Sequence, residues 1–308
     1  MKEIVGITGG TGFVGGHLSR LLLNEGHRVI IFTRHIPVKT VGDQISYAHL
    51  DAEKGKCDLQ ALKQVTVMIN LAGAGIADKR WTAARKKEIV DSRVATTNFL
   101  VKQLKAFAPD CTIYISSSAT GYYGPDKVGG APFTEAAPPY NDFLGDTCSQ
   151  WETASQEAAS FLRTVILRFG VVLGKESGAF PKFAAPLSFG IMPLLGGGAQ
   201  MMSWIEVNDL ARLILFAMEQ RQLSGIYNAV APNPVTYRQL SSTIASAKRS
   251  LSIPLPVPAF LLKMALGELS TELLKSCTAS AQKTLSTGFS FHCPDITSAV
   301  NAILSVQK

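Results

Sequence analysis

Residues 4–16 constrain this chain more than any other stretch. An apolar run fit for a buried strand, Ile4-Val5-Gly6-Ile7, meets the cluster Gly9-Gly10-Thr11-Gly12, and a helical pattern starts at once. Gly10, Gly12 and Gly15 have the spacing G-x-G-x-x-G, and Gly9, Gly12 and Gly15 the related G-x-x-G-x-x-G. The glycines serve three physical ends, which are a tight turn, room for backbone to approach a pyrophosphate, and close packing of helix on strand. The free N–H groups of the next helix turn then face the anion. A glycine-rich turn can be no more than a turn, but here a strand precedes it and a helix follows, as the motif requires. The pattern predicts a dinucleotide seat formed by Gly9, Gly12, Phe13, Val14 and Gly15.

Leu18, Leu21 and Leu22 recur at helical spacing before Gly26, and residues 28–33 read as the second strand of a β-α-β unit. The residue just past that strand selects the cofactor. An acid there would bind the ribose hydroxyls of NAD, but the chain reads Thr33-Arg34-His35 with no acid before Asp43. Arg34 can pair with a 2′-phosphate, which predicts NADP(H); the plainer alternative is a surface arginine. A third strand over residues 45–50 ends at Asp51, placed either for an adenine amino group or to cap a turn. A fourth, residues 65–71, is almost wholly apolar, as a parallel strand buried on both faces should be. It ends in Asn70-Leu71-Ala72-Gly73, and small residues there let backbone pass close to a nicotinamide ribose.

The densest basic segment, from Asp78-Lys79-Arg80-Trp81 to Lys87, leads into a helix predicted over residues 83–107. It is either an anionic-substrate contact led by Arg80 and Trp81 or the exposed start of a helix, whose apolar face could serve a homodimer. A fifth strand, residues 112–116, runs into Ser116-Ser117-Ser118-Ala119-Thr120-Gly121-Tyr122-Tyr123. Hydroxyls at the carboxyl end of a central strand lie where open α/β sheets bind ligands, although serines also end strands for no catalytic reason. Residues 164–173 read as a sixth strand, residues 225–230 as the last, and residues 258–275 as an amphipathic helix packing Leu261, Leu262, Ala265, Leu266 and Leu269. Gly196-Gly197-Gly198 has no strand-to-helix context and reads as a loop.

Apolar residues make up 46% and charged residues 17% of the 308, so a large core is expected and disorder is not. The net charge of +7 is scattered along the chain, which points to a solvated basic surface or a phosphate pocket rather than nucleic acid. Five cysteines without a C-x-x-C read as free thiols of a reducing compartment. The most apolar long stretch, residues 179–195, holds Lys182 and three prolines, so no membrane span is expected. With no signal-peptide pattern ahead of the first strand, the expectation is a cytoplasmic protein. The histidines are scattered without metal-ligand spacing, and neither G-x-S-x-G nor G-x-x-x-x-G-K-[ST] occurs.

The glycine turn, Asn70-Leu71-Ala72-Gly73, Ser116-Ser117-Ser118-Ala119-Thr120 and Leu167-Arg168-Phe169-Gly170-Val171-Val172-Leu173-Gly174 together resemble an extended or atypical short-chain dehydrogenase/reductase. Ile76-Ala77-Asp78-Lys79-Arg80-Trp81, Met202-Ser203-Trp204-Ile205, Leu255-Pro256-Val257-Pro258-Ala259 and Gly288-Phe289-Ser290-Phe291 resemble its epimerase-family branch with that branch's C-terminal module. The resemblance implies an α/β fold: a Rossmann-like, doubly wound parallel sheet with a smaller C-terminal substrate lobe. Residues 1–177 and 203–231 would form the NADP-binding part, and residues 178–202 and 232–308 the lobe. It also implies a small polar substrate, contacted by Arg80, Trp81 and Trp204.

One departure from the family matters for chemistry. The usual Tyr-x-x-x-Lys pair, in which lysine lowers the pKa of the tyrosine that moves a proton, reads here as Cys148 and Glu152. A carboxylate there raises a neighbouring acid's pKa instead. Catalysis would then fall to Ser118, to Tyr123 or its neighbour Tyr122, and to Glu152. Two readings follow: an NADP(H)-dependent oxidoreductase or epimerase-like enzyme, or a non-catalytic NADP(H)-binding sensor or partner-binding protein.

Overall fold

The computed structural model describes residues 2–37 and 45–305. Asp43 and the outermost ends of the expected domain ranges lie outside the described residues. The strands in chain order are β1 (Ile4–Thr8), β2 (Arg28–Thr33), β3 (Ile45–Asp51), β4 (Lys56–Cys57), β5 (Val67–Asn70), β6 (Ile113–Ala119), β7 (Arg163–Phe169), β8 (Val171–Leu173), β9 (Ile191–Leu195), β10 (Met201–Met202), β11 (Trp204–Glu206), β12 (Gly225–Ala229), β13 (Val235–Thr236) and β14 (Ile253–Val257). The helices are α1 (Phe13–Asn24), α2 (Leu59–Lys63), α3 (Ala83–Asp91), α4 (Val94–Phe107), α5 (Phe143–Gln156), α6 (Phe180–Leu187), α7 (Val207–Glu219), α8 (Tyr237–Ala247), α9 (Ala259–Leu266), α10 (Leu269–Leu274), α11 (Gln282–Ser286) and α12 (Ile296–Ser305).

Eight strands form one sheet in the order β12-β7-β6-β5-β1-β2-β3-β4, parallel except where β4 turns back on β3. The chain winds outward from β1 through β2 and β3, then crosses to β5 on the other side. The doubly wound fold is therefore as expected, with its switch point between β1 and β5. Two side chains hold this point together: Thr8 Oγ1 donates to Asn70 Oδ1 at 2.6 Å, and Asn70 Nδ2 donates to Thr97 Oγ1 at 2.8 Å. Apolar strands buried on both faces explain the two cores, one with α1 and α7 and the other with α4. A further cluster, from Leu173 and Phe180 through Leu194 and Trp204 to Val300, joins the segments beyond the sheet. Phe289 and Phe291 instead return to α7 of the main core.

Several boundaries differ from expectation for identifiable reasons. The helix over residues 83–107 is two helices, because the chain breaks at Ser92-Arg93 between α3 and α4. The strand over residues 164–173 divides at Gly170, where a Cβ would stand 2.8 Å from the Ser203 carbonyl oxygen; beyond it β8 leaves the sheet to pair with β11. The fifth of the expected strands continues through the serines to Ala119, and the fourth narrows to Val67–Asn70. The helix over residues 258–275 is interrupted at Gly267, whose φ of +62° suits glycine. That break buries Leu262 and Leu269 but leaves Leu261 and Ala265 exposed. The three glycines at 196–198 form the turn after β9, all with positive φ.

Candidate functional site

The glycine turn sits at the switch point. Gly9 has φ +70°, and a Cβ there would stand 2.6 Å from the carbonyl oxygen of Leu71, so only glycine lets β1 and the end of β5 meet. Gly15 packs α1 onto the turn: a Cβ would come within 2.5 Å of both Gly10 Cα and Gly9 O. Gly12 is different. It is exposed, its φ of −82° and ψ of 180° suit any residue, and a Cβ would meet only Gly9 O, at 3.2 Å. Gly12 offers no side chain to cap α1, and among the described residues the N–H groups of Phe13, Val14 and Gly15 open the helix without an intrahelical or side-chain acceptor. Phe13 and Val14 are half-buried beside this mouth. A bare, positively polarised helix start under an open glycine is a seat that fits a pyrophosphate.

The other predicted cofactor residues lie at the ends of β2, β3 and β5. Arg34 is exposed at the end of β2, where Thr33 closes a turn by accepting the His35 N–H at 3.3 Å. Leu71 and Ala72 are half-buried and Gly73 is exposed at the end of β5. Asp51 resolves its alternatives differently. It is buried, accepts the Lys54 N–H at 3.1 Å and lies 3.4 Å from Lys54 Nζ, so its carboxylate caps the turn after β3.

Ser118, Glu152 and Tyr123 do come together, around a fourth residue missed in the sequence. Arg168 rises from β7 and grips Glu152 with both forks, Nε to Oε1 at 2.7 Å and Nη2 to Oε2 at 2.7 Å. Ser118 Oγ donates to the same Glu152 Oε1 at 2.6 Å. Arg168 Nη1 donates to the Tyr123 hydroxyl at 2.8 Å, which donates onward to Asn228 Oδ1 at 2.8 Å. All four residues of this ring around Arg168 are 0–3% exposed. Burial pushes the Tyr123 phenol up to about 12, Arg168 pulling the other way. Each polar atom of Ser118, Tyr123 and Glu152 thus has a buried partner within this ring. One signal for Arg168 was present in the sequence: a lone charge within the apolar run Val165-Ile166-Leu167.

Tyr122 is placed differently. It is half-buried, and its ring lies over the Arg168 guanidinium with 3.5 Å between Cζ and the ring centroid. Cys148 is buried, and burial with Glu152 beside it pushes its thiol up to about 12. The other cysteines are pushed up as well, to about 11 for Cys57, Cys111 and Cys293 and about 12 for Cys277, and all five are free thiols. The folded protein is therefore expected to resist iodoacetamide at pH 8, read by intact mass, with unfolding needed for full alkylation. Rapid labelling of Cys148 in the native state would contradict that.

The substrate contacts expected from the resemblance part company. Trp81 is buried with Ile89, Leu144 and Leu269 and donates its indole N–H to the Ile76 carbonyl at 2.8 Å. Trp204 is 0% exposed and donates its indole N–H to the Asn233 carbonyl at 2.9 Å, within the cluster of Leu173, Phe180 and Leu194. Both indoles are anchored by packing. Arg80 alone remains exposed, against Gly267. Among the described residues no cluster of His, Cys, Asp and Glu could hold a metal, and no helix is long and apolar enough to cross a membrane.

Comparison with known proteins agrees with this architecture. The model of the NAD dependent epimerase/dehydratase family matches residues 5–229, and that of a domain of unknown function, DUF1731, matches residues 257–303. Epimerase family protein YfhF of Bacillus subtilis is 37% identical over 306 residues, covering 99% of each chain. The chloroplastic Epimerase family protein SDR39U1 homolog of Arabidopsis thaliana is 33% identical over 97% of this chain and 86% of its own. The crystal structure of human epimerase family protein SDR39U1 with NADPH superposes with a TM-score of 0.86 at 27% identity, over 99% of this chain and all of that one. With a doubly wound sheet, an open glycine turn at its switch point and a family match spanning both, the chain belongs to the NAD dependent epimerase/dehydratase family.

Proposed function

We propose that this chain binds NADP(H) in the turn between β1 and α1 and holds a small polar substrate over the ends of β5 and β6. It acts there as an oxidoreductase- or epimerase-like protein without a Tyr-x-x-x-Lys pair. The observation that carries this reading is the uncapped start of α1 beneath Gly12, flanked by Arg34 and by no acid at the end of β2. A relative of the same architecture, human SDR39U1, is described with NADPH, which supports the cofactor.

A bound nicotinamide supplies hydride chemistry. The protein's part is to fix the two ligands and manage one proton. With Ser118, Tyr123 and Glu152 hydrogen-bonded around Arg168, the half-buried phenol that follows β6 is that of Tyr122, whose ring lies against Arg168. Burial raises its pKa, the Arg168 charge opposing, so the phenol stays protonated at neutral pH. A protonated phenol can donate to a substrate oxygen but is a poor base, which suits carbonyl reduction. The second reading, a non-catalytic NADP(H)-binding sensor, is favoured by the locked ring around Arg168. NADPH oxidation over a panel of small polar carbonyl compounds separates the two: turnover lost in Tyr122→Phe supports the enzyme, and no turnover on any compound supports the sensor.

The cofactor choice has its own test. NADP(H) should bind more tightly than NAD(H), and Arg34→Ala should remove most of the difference. A charge-assisted phosphate contact contributes roughly 1.5–3 kcal/mol, or about tenfold to a hundredfold in Kd. Equal affinities for the two dinucleotides by calorimetry would sink the assignment to Arg34.

A further inference from the structure

Arg93 stands at the head of α4, beside the end of β5, with a charge that no carboxylate among the described residues balances. Its Nη1 donates to the carbonyls of Ala74 at 3.0 Å and Ile89 at 3.1 Å. Nε and Nη2 have no acceptor among the described residues. The guanidinium is packed against the backbone of Gly73: a Cβ built there would stand 3.0 Å from Cζ, 3.2 Å from Nη2 and 3.3 Å from Nε. Its other face lies toward the Trp151 ring of α5, with Cζ 5.2 Å from the centroid. Burial works against this charge, and nearby Arg85 adds to the penalty. The fold thus holds a planar, half-buried cation with three of its five N–H donors unused among the described residues, an arrangement that favours oxygen ligands.

The sheet order says which oxygens. β2 with Arg34 lies on one side of β1, and β5 with Gly73 on the other. A dinucleotide whose pyrophosphate sits at Gly12 and whose adenosine phosphate meets Arg34 must lay its second nucleoside over β5. We infer that Arg93 binds the ribose hydroxyls of that nicotinamide half through Nε and Nη2. It brings from α4 the positive charge that Glu152 cannot bring from α5. A vicinal diol presents two oxygens to a fork of two N–H groups, which a single ammonium cannot match. Gly73 belongs to the same device, since a side chain there would push the guanidinium aside.

This inference rests on the dinucleotide reading, and the experiment keeps the two apart. Calorimetric titration uses two probes, NADP⁺ and adenosine 2′,5′-bisphosphate, which carries only the adenosine half. With Arg93→Gln, NADP⁺ should bind about tenfold or more weakly, as expected when a charge-assisted pair of hydrogen bonds is removed. The bisphosphate should keep its affinity within about twofold. Arg93→Lys, which retains the charge over Trp151 but not the fork, should recover only part of the loss, and it serves if the glutamine variant does not fold. Unchanged NADP⁺ affinity in both variants, or equal weakening of both probes, would overturn the role of Arg93. If neither probe binds the parent chain, the dinucleotide reading itself is wrong and the inference falls with it.

Discussion

Gly12→Val should abolish NADP(H) binding and leave the protein folded. The glycines of the turn look alike in sequence, and their surroundings divide them. At Gly9 and Gly15 a side chain would strike backbone, at 2.6 Å from Leu71 O and 2.5 Å from Gly10 Cα. Substitution at either should disturb the junction of β1, β5 and α1 and lower the melting temperature. At Gly12 the backbone is ordinary and the space in front is open apart from Gly9 O at 3.2 Å. Valine is a poor residue at a helix N-cap, but the cost there is only about 0.5–2 kcal/mol. The isopropyl group would instead fill the room the pyrophosphate needs and cover the N–H groups of Phe13 and Val14. Affinity should fall by about a hundredfold or more, given roughly 1.5–3 kcal/mol for each charge-assisted hydrogen bond to the phosphates that valine blocks. Calorimetry with NADP⁺ and a thermal melt of the free protein check both halves. Normal binding in Gly12→Val would mean that the phosphates lie elsewhere.

What the sequence revealed and what it hid follow one physical division. The turn, the serine-rich strand end and the Asn70 strand end are local patterns, set by backbone sterics and by strands buried on both faces, so they can be read residue by residue. The breaks at Gly170 and Gly267 were less visible, because a glycine inside a periodic pattern signals a break only when another segment needs the space or φ turns positive. The pairing of Glu152 was harder to read than the lone charge of Arg168. Arg168 is 16 residues away, on β7 where Glu152 is on α5, and nothing in the spacing says that the two side chains face each other. Ser118 and Tyr123 were singled out for their position at the carboxyl end of a central strand, and the sequence did not show that both would bond within one buried ring. The burial of Trp81 and Trp204 was hidden as well, since a motif does not say whether a large aromatic in it packs inward.

Glu152→Ala should destabilise the protein far more than it changes any reaction. Arg168 is 1% exposed and Glu152 3%, so the pair is shielded from water on all sides. Deleting the carboxylate strands a buried guanidinium with only the Tyr123 hydroxyl and the Glu135 carbonyl as acceptors, and it takes the acceptor from Ser118 Oγ as well. Breaking one side of such a pair costs about 3–5 kcal/mol, visible in urea as a lower midpoint. Ser118→Ala removes one donor from a carboxylate that keeps both arginine bonds, and should cost only about 1 kcal/mol. A catalytic reading gives no reason for that order. The charge itself is separable from the shape: Glu152→Leu combined with Arg168→Met removes both ions, and should regain most of the stability missing from Glu152→Ala. Placing a tyrosine and a lysine at these positions points the same way. Cys148→Tyr with Glu152→Lys sets a second cation against Arg168 in a dry site, so it should unfold the chain rather than create a reductase. A Glu152→Ala protein as stable in urea as the parent would show that the ring around Arg168 does not hold the ends of β6 and β7 together.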